Sequence, residues 1–376
     1  MRIAIVLNTS WNIYNFRMNL IHSLQAQGHE IHAIAPRDTH TSLLIQHGCI
    51  YHQLRMDSRG ANPIKDSALI MELYSIYKRV KPDVILHYTI KPNVYGTLAA
   101  ALLGIPAVNN VCGLGTVFLK RGIVSFIAKL LYRISFRHAS KVFFQNPDDL
   151  QLFLDEKLVP GQLVDLLPGS GIDLQKFRPT PLPNNERFTF LLISRLISDK
   201  GIFEFIEAVK ELRQEGLKAR FQVLGAIDEE HKRGIKASVI QQWIDDGIID
   251  YLGTTEDVRP YLHQADCVVL PSYREGTPRV LLEAASTARP IIATEVPGCK
   301  QVVDDRVNGL LCRLKDARDL AAKMRTMASL PEEALKTMGE QGRAKVEAVY
   351  DEALVIRKYL QTLGEVESLS PAHANH

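Results

Sequence analysis

Cysteine is scarce and unorganised: five residues in 376, Cys49, Cys112, Cys267, Cys299 and Cys312, with no Cys-x-x-Cys pair. That excludes a disulfide framework and a paired-cysteine zinc site, and points to a reducing compartment. Long apolar runs are missing as well. The first one, Arg2-Ile-Ala-Ile-Val-Leu7, stops at Asn8, too short for the hydrophobic region of a signal peptide. No later run approaches the roughly 20 apolar residues of a membrane span, so the expected location is cytoplasmic. No Gly-x-Gly-x-x-Gly follows the first strand, which disfavours a nicotinamide-dependent oxidoreductase. Asp-x-Asp occurs nowhere in the chain. Aromatic and basic residues do not interleave as on a nucleic-acid surface, so no nucleic-acid partner is expected.

Acid is absent from residues 84–147, while Lys91, Lys120, Arg121, Lys129, Arg133, Arg137 and Lys141 fall inside that stretch. The net charge of +3 therefore hides a basic first half and an acidic second half, and an anionic partner is expected for the first half alone. Lys129, Arg133 and Arg137 recur every four residues, forming one basic stripe on a helix that also carries Ile123, Phe126, Ile127, Leu130, Leu131 and Ile134. Such a helix suits an anionic membrane interface, with Lys120 and Arg121 adding to the contact. A core-facing amphipathic helix with a solvated basic side is the plainer alternative.

What is present is α/β alternation, twice. Apolar runs at 2–7, 30–34, 83–87, 106–109, 141–144 and 163–168 alternate with helical spacing at 15–27, 64–80, 92–103 and 121–136. The Pro-rich stretch Arg178–Asn185 reads as a linker. The pattern restarts with strands at 188–193, 220–224, 248–252, 267–270 and 290–293 and helices between and after them. The expected architecture is two Rossmann-like domains facing each other across a cleft: residues 1–180, then 181–348, followed by a helix over 349–365 and a flexible tail over 366–376. Ligands of open parallel sheets bind beyond the carboxyl ends of the strands.

The most informative segment is Pro271-Ser-Tyr-Arg-Glu275-Gly-Thr-Pro-Arg-Val-Leu-Leu-Glu283, a buried strand's exit turning into a helix. A helix start offers unpaired N–H groups to an anionic or hydroxyl-rich ligand, and two carboxylates eight residues apart suit the vicinal hydroxyls of ribose and hexose. Two solvated surface acids are the plainer reading. A second segment, Ser194-Arg195-Leu-Ile-Ser-Asp-Lys200-Gly201, follows the first strand of the second half. A third is Gly171-Ile-Asp173-Leu-Gln-Lys-Phe177-Arg-Pro179.

Together these segments resemble the family 4 retaining glycosyltransferases of the GT-B fold, over essentially the whole chain; the resemblance implies that the third segment is a structural hinge and that the helix over 349–365 crosses back to the first domain. The resemblance implies that Arg195 and Lys200 grip the donor diphosphate, that Glu275 approaches the donor sugar and that Glu283 binds the ribose. Gly276, Thr277, Pro278 and Arg279 complete the implied donor site. Asn8–Arg17, Thr89–Gly96 and Gly113-Leu-Gly115 resemble the bacterial members that extend polyprenyl-diphosphate-linked sugars for capsule, O-antigen or protein glycans. On that reading Asn15, Arg17, Lys91 and Gly113 face the acceptor, although an ordinary salt bridge suits Arg17 equally. Cys112-Gly113 departs from the His-Gly that many members carry there. His87 reads as a buried, satisfied histidine.

The implied function is transfer of a hexose or N-acetylhexosamine, with UDP-GalNAc favoured as donor, to a lipid-linked sugar on the inner face of the cell membrane. No metal or other cofactor is expected, because a basic pair stands where a cation would neutralise the leaving group. A UDP-sugar epimerase of the same fold and a non-catalytic nucleotide-sugar-binding membrane scaffold are the alternatives.

Overall fold

The computed structural model describes residues 1–57, 62–114 and 122–368. The chain forms two compact units, one of Met1–Ser170 joined by the chain from Ala353, the other of Gly171–Glu352.

Unit 1 is built on seven strands: β1 (Arg2–Val6), β2 (Glu30–Ala35), β3 (Ile50–Gln53), β4 (Val84–Tyr88), β5 (Ala107–Val111), β6 (Lys141–Phe144) and β7 (Val164–Leu166). Their order is β3-β2-β1-β4-β5-β6-β7, all parallel. The order reverses between β1 and β4, the position at which such sheets leave a crevice at their carboxyl edge. β1, β4 and β5 are buried along nearly their whole length, as expected for strands covered by helices on both faces. β3 has no counterpart in the apolar runs of the sequence. It is an edge strand of mixed polarity, Ile-Tyr-His-Gln, and needs no continuous apolar pattern.

The last helix, Glu352–Ser368, belongs to unit 1: Val355, Tyr359, Leu363 and Val366 enter the same core as Ile3, Leu86 and Phe143. Spacings of four, four and three residues put those side chains on one helix face. Residues 366–368, expected in a flexible tail, are helical. The rest of that tail, 369–376, lies outside the described residues.

Unit 2 carries β8 (Phe188–Ile193), β9 (Ala219–Leu224), β10 (Asp250–Tyr251), β11 (Cys267–Leu270), β12 (Ile291–Thr294) and β13 (Gly309–Cys312) in the order β10-β9-β8-β11-β12-β13, again parallel. Its reversal lies between β8 and β11, so the two motif segments that follow these strands leave the sheet side by side.

The structure assigns the Pro-rich stretch to unit 2 rather than to a linker, and the reason is one side chain. Arg289 is fully buried and donates to the carbonyls of Thr180 (3.0 Å), Pro181 (2.8 Å) and Leu262 (2.8 Å). Burial brings its pKa down to about 10, so the guanidinium stays charged and its donors hold residues 180–181 on the unit. The unit boundary falls instead at Gly171. There Ile172 N–H donates to the Tyr350 carbonyl (2.9 Å) and Glu352 N–H to the Ile172 carbonyl (3.1 Å). Gly171 has φ +72°, and a Cβ on it would lie 2.4 Å from Glu352 Cα. Phe177 of the hinge-like segment is buried in the unit 2 core beside Ile172 and Leu191.

Candidate active site

In unit 2 the loop after β8 and the loop after β11 are locked together by backbone. Tyr273 N–H donates to the Asp199 carbonyl at 2.9 Å, and the Ser272 hydroxyl adds a second bond to it at 3.3 Å. Gly201 is what permits this: at φ +72°, a Cβ there would sit 2.0 Å from the Pro271 carbonyl oxygen. The turn through Glu275 is held from a third strand exit, with Glu275 N–H donating to the Pro297 carbonyl at 3.2 Å. Gly298, at φ +87°, lies so close that a Cβ would meet the carbonyl oxygens of Gly276 at 2.5 Å and Glu275 at 2.7 Å.

This scaffold sets the charged groups in cation–carboxylate pairs. Lys200 Nζ contacts Glu275 Oε1, both side chains largely buried. Arg279 Nε donates to Glu283 Oε1 at 3.0 Å, one helical turn apart on the Arg279–Ser286 helix. Arg195 is the open cation of the set, its side chain 59% exposed with the Asp228 carboxylate 3.9 Å away. Gly276, Thr277 and Pro278 form the lead into the helix, and Pro278 brings no side-chain cap to its first turn.

Burial raises the Glu283 carboxyl pKa, and Arg279 only partly offsets it. Lys176 and Asp257 act on the same carboxylate, and they line a pocket of about 450 Å³ with Arg178, Arg259 and His263. Sequence reasoning passed over that group, whose members are scattered over some ninety residues and belong to no contiguous motif. Each of the five charged groups expected around the donor, Arg195, Lys200, Glu275, Arg279 and Glu283, thus has a definite position in unit 2. Lys200 and Arg279 meet a bound anion only by sharing or giving up a carboxylate.

The unit 1 residues fare unequally. Lys91 does not stand open: its Nζ pairs with the Asp66 carboxylate at 2.8 Å, and the Tyr95 hydroxyl donates to the other oxygen of Asp66 at 3.0 Å. Lys91 and Asp66 lie on the wall of a pocket of about 480 Å³ with Arg55, Lys65 and Glu72. Asn15 donates back to the Trp11 carbonyl one helical turn earlier, at 3.0 Å. Gly113 has φ +132° directly after the Cys112 thiol, which contacts Asn110. Arg17 is 5% exposed, and among the described residues no salt bridge holds it. Its guanidinium stacks 4.2 Å above the Tyr88 ring.

His87 is the neutral core histidine the sequence suggests. It is fully buried between the Tyr77 hydroxyl (2.9 Å) and Asn109 (3.1 Å), and burial lowers its pKa to about 3.

The basic stripe of the Ile123–Ser135 helix is not a free surface. Lys129 pairs with Glu156 at 2.6 Å, and Arg133 donates to the carbonyls of Glu156 (2.9 Å) and Lys157 (3.2 Å). Arg137, in the short turn after the helix, is exposed. Exposed on the helix, along with Arg133, is a run of apolar side chains: Ile123, Val124, Phe126, Ile127, Leu130 and Ile134. Lys120 and Arg121 lie outside the described residues. Among the described residues no helix is long and apolar enough to cross a membrane.

Residues 2–146 match the family model described as Glycosyl transferase 4-like, and residues 187–329 the one described as Glycosyl transferases group 1. The chain is 28% identical to the N,N'-diacetylbacillosaminyl-diphospho-undecaprenol alpha-1,3-N-acetylgalactosaminyltransferase of Campylobacter jejuni, over 97% of this chain and 99% of that one. It is also 28% identical to the UDP-Gal:alpha-D-GlcNAc-diphosphoundecaprenol alpha-1,3-galactosyltransferase of Escherichia coli, over 69% of each. Among solved structures, a glycosyltransferase from Rickettsia africae superposes with a TM-score of 0.80 at 19% identity, over 98% of this chain and 99% of that one. The Anabaena protein HepE in complex with UDP superposes with a TM-score of 0.78 at 19% identity, over 97% and 100%.

Proposed function

This chain belongs to the glycosyltransferases of the GT-B fold, and we propose that it transfers an N-acetylhexosamine or hexose from a UDP-linked donor to a polyprenyl-diphosphate-linked sugar, with retention of anomeric configuration and without a metal. The observation that carries this reading is the double pairing of Lys200 with Glu275 and Arg279 with Glu283 beside the open Arg195. Cations that begin in carboxylate pairs can exchange partners when a diphosphate arrives. Lys200 then turns to the phosphate and frees Glu275 for the sugar hydroxyls, while Glu283 accepts from the ribose.

In the transfer step the bond between C1 and the diphosphate oxygen breaks, and the oxygen leaves with the electron pair. The acceptor hydroxyl oxygen forms its bond to C1 on the same face, and its proton passes to the departing phosphate. The leaving group gains charge as the bond stretches, so Arg195 and Lys200 stabilise the transition state more than the bound donor. That is the work a divalent cation would otherwise do.

UDP-GalNAc is the favoured donor, because the Campylobacter relative, matched almost end to end, carries that sugar in its name and acts on an undecaprenyl-diphosphate sugar. The enzyme works on the inner face of the membrane, with the exposed apolar side of the Ile123–Ser135 helix as its contact.

The test is a panel of UDP and GDP sugars incubated with a polyprenyl-diphosphate sugar, with and without EDTA. Product mass and the anomeric proton coupling are the readouts. Transfer from a UDP-HexNAc with retained configuration in EDTA is the expected result. An epimerised nucleotide sugar released without any acceptor, or no turnover of any donor, would overturn the reading.

A further inference from the structure

Among the described residues of unit 1, Arg17 is a buried charge without a counter-charge. It lies on the Ser10–Ala26 helix, is 5% exposed, and has Tyr88, Tyr359 and Cys112 as its electrostatic partners, none of them a carboxylate. One terminal N–H donates to the Phe16 carbonyl at 3.2 Å, and Nε has no partner. Stacking on Tyr88 at 4.2 Å gives the guanidinium an attractive surface. It leaves a buried ion's full charge uncompensated, an arrangement that persists where an anion is to be received.

A second orphan lies beside it. Thr89, the residue after β4, has φ +66°, a strained conformation for a side chain branched at Cβ, and its Oγ1 is buried without a partner. Cys112, just after β5, lies close enough to act on the Arg17 charge and has its sulfur against Asn110, so the chain leaving β4 and the chain leaving β5 meet near Arg17 at the carboxyl edge of the sheet. Cys112 and Thr89 are partly exposed as residues, while Arg17 Nε and Thr89 Oγ1 themselves are buried. Lys91, the other cation expected here, already has Asp66 at 2.8 Å.

We infer that Arg17 and Thr89 form an oxyanion pocket that takes a phosphoryl group of a diphosphate-linked acceptor, a proposal that rests on the glycosyltransferase reading above. Arg17 supplies the charge and Nε–H, and Thr89 supplies Oγ1–H. The pocket would make the enzyme select its acceptor by the diphosphate and not by the sugar alone.

The experiment uses the full chain with saturating UDP, so that unit 2 is filled. Inorganic pyrophosphate is titrated calorimetrically into the wild type, Arg17→Gln, Arg17→Lys and Thr89→Val. In parallel, KM is measured for a polyprenyl-diphosphate sugar and for the same sugar as an octyl glycoside. The expected result is pyrophosphate binding that Arg17→Gln abolishes and Arg17→Lys partly restores. KM for the diphosphate acceptor should rise about 10- to 100-fold in Arg17→Gln and less in Thr89→Val, whose hydroxyl bonds nothing else, with KM for the octyl glycoside unchanged. UDP affinity should not move.

Equal KM changes for both acceptors, or none, would overturn the pocket. So would wild type that fails to bind pyrophosphate. Arg17-dependent pyrophosphate binding with an unchanged KM for the lipid acceptor would assign the pocket to a free anion and equally overturn the proposal. Should the wild type turn over no donor at all, the transferase reading fails, and the calorimetry still decides whether the pocket binds an oxyanion.

Discussion

Lys200 and Glu275 form an ion pair across 75 residues of sequence, joining the loop after β8 to the loop after β11. Both side chains are mostly buried, 21% and 14% exposed, so the pair is shielded from the screening that makes surface salt bridges weak. If the lysine trades this partner for a donor diphosphate, Lys200→Ala should lower kcat/KM by about 10²- to 10³-fold, the range for losing one donor to a developing oxyanion. The variant leaves Glu275 buried without its cation, so some loss of melting temperature is expected. Lys200→Ala combined with Glu275→Gln should recover stability without recovering transfer. Thermal melts and steady-state kinetics on the three proteins separate the two effects.

Gly298 makes a sharper geometric test. Its Cβ would fall 2.5 Å from the Gly276 carbonyl oxygen and 2.7 Å from that of Glu275, contacts that require the backbone of the turn to move. Gly298→Ala should therefore displace Glu275 while leaving unit 1 untouched. The expected outcome is a raised donor KM and a reduced kcat, with acceptor-side pyrophosphate binding unchanged.

Glu283 carries a pH signature. Burial holds its pKa above the ordinary 4.5, so the folded protein binds a proton there more tightly than the unfolded chain. Stability from this group is fully present below 4.5 and is lost as pH rises through the raised value. Replacing it with Gln removes that loss. The melting temperature of Glu283→Gln relative to wild type should rise as pH increases above 4.5, while its UDP affinity falls. A difference that stays flat across this range would show that the carboxylate is as well solvated as an exposed one.

The strand-turn-helix segment that carries Glu275 and Glu283 was legible in the sequence because its parts are contiguous. β11, the Glu275 turn and the Arg279–Ser286 helix follow one another without a break, and a short strand-turn-helix segment can be read from residue type and spacing. The surroundings of Arg17 were not, although Arg17 itself is named by the resemblance. Arg17, Tyr88, Thr89 and Cys112 come from three segments that only the sheet order β1-β4-β5 brings together, and nothing in the chain near Arg17 reveals the lack of a carboxylate. Lys91 looked like an open cation for the same reason: its partner Asp66 lies 25 residues away, on the first turn of the Pro63–Val80 helix. The Ile123–Ser135 helix shows a third limit. Periodicity separates its two faces but cannot say which one the fold covers, and here the fold ties down Lys129 and Arg133 and leaves the apolar face open. Edge strands β3 and β13 are short, and neither carries an apolar run long enough to stand out from loop.

His87 should dominate one limb of acid unfolding. Its ordinary pKa is 6.5, and burial lowers it to about 3 in the folded protein. The unfolded chain therefore takes up the proton first, and stability is lost as pH falls from 6.5 towards 3. A tenfold difference in proton affinity between the two states is worth about 1.4 kcal/mol, so the full effect is on the order of 4–5 kcal/mol. His87→Gln keeps a neutral hydrogen-bonding group between Tyr77 and Asn109. It should lower stability at neutral pH and flatten the pH dependence below 6.5, as measured by denaturant midpoints at several pH values.

The last expectation concerns the membrane. Phe126 and Ile127 are 69% and 48% exposed on a helix whose neighbouring Lys129 and Arg133 are already engaged within unit 1. If this face enters a bilayer, most of the binding free energy comes from apolar burial, at about 1.5–3 kcal/mol per large side chain. Phe126→Ser with Ile127→Ser should then weaken co-sedimentation with anionic vesicles by roughly two orders of magnitude. Raising salt on the wild type should have a smaller effect, because among the described residues Lys129 and Arg133 already have partners within unit 1. Transfer to a detergent-dispersed acceptor should be unaffected by the double substitution. Binding that vanishes in high salt and ignores the loss of Phe126 and Ile127 would instead make the contact electrostatic, with Arg137 as an exposed cation still open to lipid.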